Sequence, residues 1–125
     1  MNRSSDSRLE DQLGSDEPPY RSRGEAQIGR LLDRYGVSFV YEQPTVVVTR
    51  GELRTWRPDF TLPHQNGLIV EYAGMPDVPE YMAKLNQKQR IYQANEILVL
   101  YLYPVDLKGP RWPEEVTRRI AEYRA

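Results

Sequence analysis

From Ser22 onward, apolar side chains recur at the spacing of a helix. Ile28, Leu31, Leu32 and Tyr35 fall on one face, and Gly36 follows as a stop. Ser22 with Glu25 three residues on is a capping-box spacing, so a first helix is predicted over about 23 to 35. The pattern then turns to strand type in three stretches, Val37 to Glu42, Thr45 to Thr49 and Thr55 to Leu62. Gln43-Pro44 and Arg50-Gly51 part them as turns. After the Asn66-Gly67 turn, Leu68 to Tyr72 is apolar at nearly every position, the mark of a strand buried on both faces in mid-sheet. Tyr81, Leu85, Lys88 and Tyr92 lie at helical spacing in a segment free of Gly and Pro, which predicts a helix over about 79 to 94. Ile97 to Tyr103 reads as a second buried strand, ended by Pro104. Pro113-Glu114-Glu115 then opens a last helix running to about Tyr123, with proline and acids where the helix dipole favours them.

A helix joining two buried strands is a crossover, so part of the sheet is expected to be parallel. The fold class that follows is α/β, with a mixed central sheet flanked by helices and a C-terminal helix. Residues 1–21 are Ser-, Asp- and Arg-rich, with Leu9 and Leu13 as apolar anchors, and read as a disordered or loosely docked tail. Residues 22–125 form the single expected domain; at 125 residues and 14.6 kDa the chain holds one core.

Composition removes several function classes. The longest apolar run, Ile97 to Tyr103, has seven residues, far short of the roughly 20 a membrane-spanning helix requires. With mean hydropathy at −0.71, no membrane partner is expected. The absence of cysteine excludes disulfides, thiolate metal sites and thiol nucleophiles. Together with the lack of a signal-peptide pattern, this points to a cytoplasmic, intracellular setting. Seventeen Lys and Arg against 18 Asp and Glu leave a net charge of −1, so no gross basic footprint is present. Arg50, Arg54, Arg57, Lys84, Lys88, Arg90, Arg118 and Arg119 could still form a local patch.

The chemistry resides in isolated acids at strand positions. Asp59 sits within Trp56-Arg57-Pro58-Asp59-Phe60, and Glu71 ends the most apolar strand. A buried carboxylate is costly unless a cation, a metal or several donors compensate. Two on neighbouring strands suit a hard divalent cation, which takes oxygen ligands and can activate water beside a phosphodiester. The alternatives are ordinary ones: Glu25 as the capping partner of Ser22, Asp59 as a turn or bulge residue, and Glu71 in an ion pair with Arg57 or Lys88. Lys84 and Lys88 could equally be solvated helix charges. Glu42 reads as a sheet-edge charge or a further acid approaching the site. His64 falls in a polar turn, and Tyr81 and Tyr92 read as core. Gly-rich phosphate loops and the Gly-x-Ser-x-Gly elbow find no match.

A helical Glu25, Arg57-Pro58-Asp59-Phe60 on a strand, and Ile69-Val70-Glu71-Tyr72 on the next strand together resemble the PD-(D/E)xK nuclease superfamily. The resemblance spans about Ser22 to Asp106 and implies a restriction-endonuclease-like core of helix, three strands, helix and strand. It also implies a metal-dependent nuclease. Asp59 and Glu71 would bind Mg²⁺ or Mn²⁺, and Glu25 would assist the metal or its water. The nucleic-acid substrate would be DNA ahead of RNA, cleaved by the protein alone, as a homodimer or within a larger complex. The sequence departs from the motif at Ala73, where the superfamily carries its lysine two residues after the acid. Some branches move that lysine to the following helix. Lys88 is the first candidate for the role and Lys84 the second. The rival expectation is a catalytically silent member of the fold that binds nucleic acid or a partner protein.

Overall fold

The computed structural model describes residues 17–123. Helix α1 (Arg23–Arg34) begins where Ser22 accepts the Glu25 amide N–H at 3.1 Å, and its apolar face is buried through Ile28, Leu31 and Leu32. Strand β1 (Val40–Tyr41) follows, then a hairpin of β2 (Thr45–Thr49) and β3 (Glu52–Trp56), then β4 (Phe60–Leu62) and β5 (Leu68–Tyr72). Helix α2 (Pro79–Ala94), strand β6 (Val99–Leu102), a 3₁₀ turn at Pro104–Leu107 and helix α3 (Trp112–Ala121) complete the order. Proline stands in the first turn of both α2 and α3, where its missing N–H leaves no intrahelical bond unmade. No helix among the described residues is long and apolar enough to cross a membrane.

The main sheet has four strands in the order β1-β4-β5-β6. Strand β4 runs antiparallel to both β1 and β5, and β5 pairs with β6 in parallel, with Glu71 beside Tyr101. The fold class is therefore α/β with a mixed sheet, the parallel pair being the one that the α2 crossover demands. The β2–β3 hairpin forms a separate sheet of two strands. Its loop is Arg50-Gly51, both with positive φ (54° and 74°), the type I′ geometry whose twist matches that of the paired strands.

The stretch Thr55 to Leu62, expected as one strand, is divided between β3 and β4. Pro58 offers no N–H for a ladder and Asp59 lies in a bend, so the chain leaves the hairpin and enters the main sheet at that point. The stretch from Val37 also shortens, because β4 supplies only a short partner and the pairing covers Val40 and Tyr41. Residues 1–16 of the expected tail lie outside the described residues. Tyr20, at its end, packs edge-on to Tyr41 at 4.9 Å and against Phe60 at 6.0 Å. Burial, with Asp33 and Glu17 nearby, pushes its hydroxyl up to about 12.

The two faces of the sheet differ in chemistry. On one, Phe60, Leu62, Leu68, Val70, Leu100 and Leu102 join Ile28 and Leu32 of α1 and Val116 and Ile120 of α3 in the core. Each such side chain contributes roughly 1.5–3 kcal/mol on burial, so this face holds the fold together. Strand alternation turns Asp59, Thr61, Ile69, Glu71, Ala73 and Tyr101 to the other face, over which α2 runs with Tyr92 fully buried. That second face carries the acids.

Candidate active site

The β4–β5 register pairs Phe60 with Val70. One step further, Asp59 stands opposite Glu71, the last-but-one residue of β5. The Oδ2 atom of Asp59 accepts the backbone N–H of Tyr72 at 2.7 Å. Its own carbonyl accepts the Glu42 N–H at 3.0 Å, which ties the bend to the end of β1. Asp59 is thus held from both neighbouring strands. Burial is the main cause of a carboxyl pushed up to about 7, with the facing charge of Glu71 next and that of Glu25 adding to it. The Tyr72 N–H and the Lys88 charge pull the other way.

Glu71 is 8% exposed, the one buried charged residue among those described. Its Oε2 accepts the Tyr92 hydroxyl at 2.7 Å and lies 3.5 Å from Lys88 Nζ. Tyr92 and Lys88 are one turn apart on α2, so a single helix face delivers both donors to one oxygen. That geometry raises the Tyr92 hydroxyl far above its ordinary range, through burial first and the Glu71 charge second. Lys88 Nζ also lies 5.5 Å from the Trp56 ring and 5.9 Å from the Tyr92 ring, and these rings meet edge-on at 5.2 Å. Among the described residues, Oε1 of Glu71 and Oδ1 of Asp59 have no hydrogen-bond partner.

Glu25 approaches from α1. Its backbone completes the Ser22 cap, while its carboxylate accepts the Tyr41 hydroxyl. Glu25 reaches Asp59 through its field rather than by contact. Lys84, one turn before Lys88, is exposed and joins no ion pair. Ala73 is fully buried on the Glu71 face, its N–H given to Leu102 at 2.7 Å. Glu42 is paired with Arg21, at 2.8 Å. Part of the expected basic patch is paired in place: Arg54 with Glu52, Arg118 with Glu115 and Glu122, and Arg119 with Asp106.

Sequence reasoning passed over Trp56, Tyr41 and the polar end of Tyr92. The spacing of Lys88 and Tyr92 carried a signal, since residues four apart on a helix address the same neighbour. Tyr101 belongs with them: beside Glu71 in the register, its hydroxyl is buried without a hydrogen-bond partner.

Among the described residues, no group of three or more His, Asp or Glu side chains gathers closely enough to cage a metal ion. The Asp59–Glu71 pair is the donor set the face offers: two carboxyl groups with two uncommitted oxygens, the donor type that a hard cation takes. Mg²⁺ is commonly held through only one or two carboxylates, with water and substrate oxygens completing its shell. No protein-family model, curated protein or solved structure matches the chain.

Proposed function

We propose that the α2 face of the sheet is the active site of a metal-dependent nuclease of the PD-(D/E)xK type, hydrolysing phosphodiester bonds of nucleic acid, DNA ahead of RNA. One observation carries this reading: two facing carboxylates on adjacent strands, one of them with a strongly raised pKa, beside a lysine. A carboxyl with a raised pKa set against a second buried acid is an arrangement that catalysis uses. The element order adds support. With the β2–β3 hairpin set aside, α1, β1, β4, β5, α2 and β6 follow the restriction-endonuclease-like order of helix, three strands, helix and strand.

In this reading Asp59 and Glu71 would hold Mg²⁺ or Mn²⁺, which when bound would supply an acidified water and a counter-charge for the phosphate. Asp59, its Oδ2 fixed by the Tyr72 N–H, would offer its remaining oxygen to the ion. Lys88 takes the place that Ala73 leaves unfilled and donates hydrogen bonds to charge gathering on the phosphoryl oxygens. Tyr92 fixes the Glu71 carboxylate by its hydroxyl. Glu25, anchored by Tyr41, helps keep the proton affinity of Asp59 high.

The test is calorimetric titration of Mg²⁺ and Mn²⁺ into the wild type, Asp59→Ala and Glu71→Ala, followed by incubation with DNA and RNA. Binding and cleavage in the wild type, both lost in the variants, is the expected result. A wild type that binds neither ion and cleaves nothing overturns it. The rival reading, a catalytically silent binding protein, draws on the Lys88–Glu71 ion pair, in which a lysine, with the Tyr92 hydroxyl, already counters the buried charge. Nucleic-acid binding insensitive to metal would favour it.

A further inference from the structure

A lysine stem has four rotatable bonds, and its entropy opposes any single placement. Lys88 reaches the site from a helix, with its side chain 42% exposed and a 3.5 Å contact to Glu71. Yet it is enclosed on the protein side by two aromatic rings from different elements, Trp56 of β3 and Tyr92 of α2. Ring faces attract an ammonium through their quadrupole without satisfying its hydrogen-bond donors.

We infer that Trp56 and Tyr92 are positioning residues, a two-ring seat that holds the Lys88 ammonium beside Glu71 while leaving its remaining donors free for a phosphate. The inference deepens the nuclease reading and rests on it for its catalytic consequence. Tyr92 lies one turn along the same helix and is locked by its own bond to Glu71. Trp56 comes from outside the main sheet, at the last residue of the hairpin before the chain passes through Pro58 to Asp59. The hairpin thereby acquires a task. Its last rung, Thr45 opposite Trp56, sets the indole against Tyr92, and Asn95 at the end of α2 fastens β2 by accepting the Val48 N–H at 2.8 Å and donating to the Val48 carbonyl at 2.9 Å. The seat is therefore anchored at both ends, which a lone surface cation–π contact is not.

The experiment reads the ammonium directly. The chain has three lysines, Lys84, Lys88 and Lys108, so their side-chain Hε signals can be assigned by NMR with Lys84→Arg and Lys88→Arg. Ring currents place the Lys88 Hε signals upfield of the other two in the wild type. Trp56→Ala returns them towards the Lys108 position, and Trp56→Phe keeps most of the displacement. In cleavage assays Trp56→Ala lowers kcat by roughly 10- to 100-fold with KM little changed, the scale of a misplaced catalytic group. Trp56→Phe recovers most of that loss, and Trp56→Ala added to Lys88→Ala costs nothing further. Coincident Hε signals in the wild type overturn the seat, as does a Trp56→Ala effect that persists in full without Lys88. Should the wild type cleave no substrate, the nuclease reading fails and the Hε signals alone decide the seat: upfield sustains it, coincident overturns it.

Discussion

Asp59 and Glu71 face each other across one step of an antiparallel register, each fixed by a donor from a different element: the Tyr72 amide for Asp59, and the Tyr92 hydroxyl for Glu71. Two like charges so placed resist ionising together, and burial adds to the resistance. The folded protein therefore takes up a proton at Asp59 more readily than the unfolded chain, between an ordinary 3.8 and about 7. Stability is full below this window and is lost as pH rises through it, by up to roughly 4 kcal/mol at about 1.4 kcal/mol per tenfold change. Asp59→Asn keeps an acceptor for the Tyr72 amide and should flatten that slope, making the variant the more stable protein at pH 8. Urea titrations of both proteins at pH 5 and pH 8 measure it. Equal slopes would show that Asp59 ionises as an ordinary acid.

Tyr92→Phe removes the shorter of the two bonds to Glu71 Oε2 while keeping the ring in the core. A buried carboxylate losing one donor costs about 1–3 kcal/mol. Chemical denaturation checks the figure. Glu71→Gln combined with Tyr92→Phe should cost less than the sum of the two, because the charge that needs the hydroxyl has gone.

Placing a lysine at position 73 should not restore the strand motif. Ala73 is fully buried, with its amide in the ladder to Leu102, and a long cation there has neither space nor water. Ala73→Lys is expected to destabilise by about 3 kcal/mol or more, within the range of overpacking and buried-charge costs. A melting curve reads this directly. A variant that melts with the wild type would show that the strand end opens readily.

Asn95→Ala should release the hairpin locally. It removes both side-chain bonds to the Val48 backbone and one to the Ile91 carbonyl. The Val48 amide should exchange with solvent at least 10-fold faster, the equivalent of about 1.4 kcal/mol of protection lost. Amides in β5 should stay unchanged. Hydrogen exchange followed by NMR separates the two strands.

Periodicity and punctuation made much of this architecture legible. Ser22 marked the start of α1, the run free of Gly and Pro marked α2, and the unbroken apolar run marked β5 as a central strand. The break within Thr55 to Leu62 was missed because strand-type residues continue through it. Only the tertiary path shows that Pro58 passes the chain from one sheet to another. Isolated charges beside or within apolar strands singled out Asp59 and Glu71, which the register sets opposite each other, since burial of an acid demands an explanation. Trp56 and Tyr92 carried no such signal. Aromatic rings are expected in a core, and periodicity cannot distinguish a ring that packs from a ring that packs and also presents a hydroxyl or a π face to an ion.

A two-stranded ribbon standing apart from the main sheet has two outer edges, and unpaired edges are templates for strand addition and aggregation. The Asn95 amide occupies both backbone groups of Val48, as a neighbouring strand would, and so blunts the β2 edge near its end. One side chain at the end of a helix thus fastens the ribbon and also denies a passing strand its register.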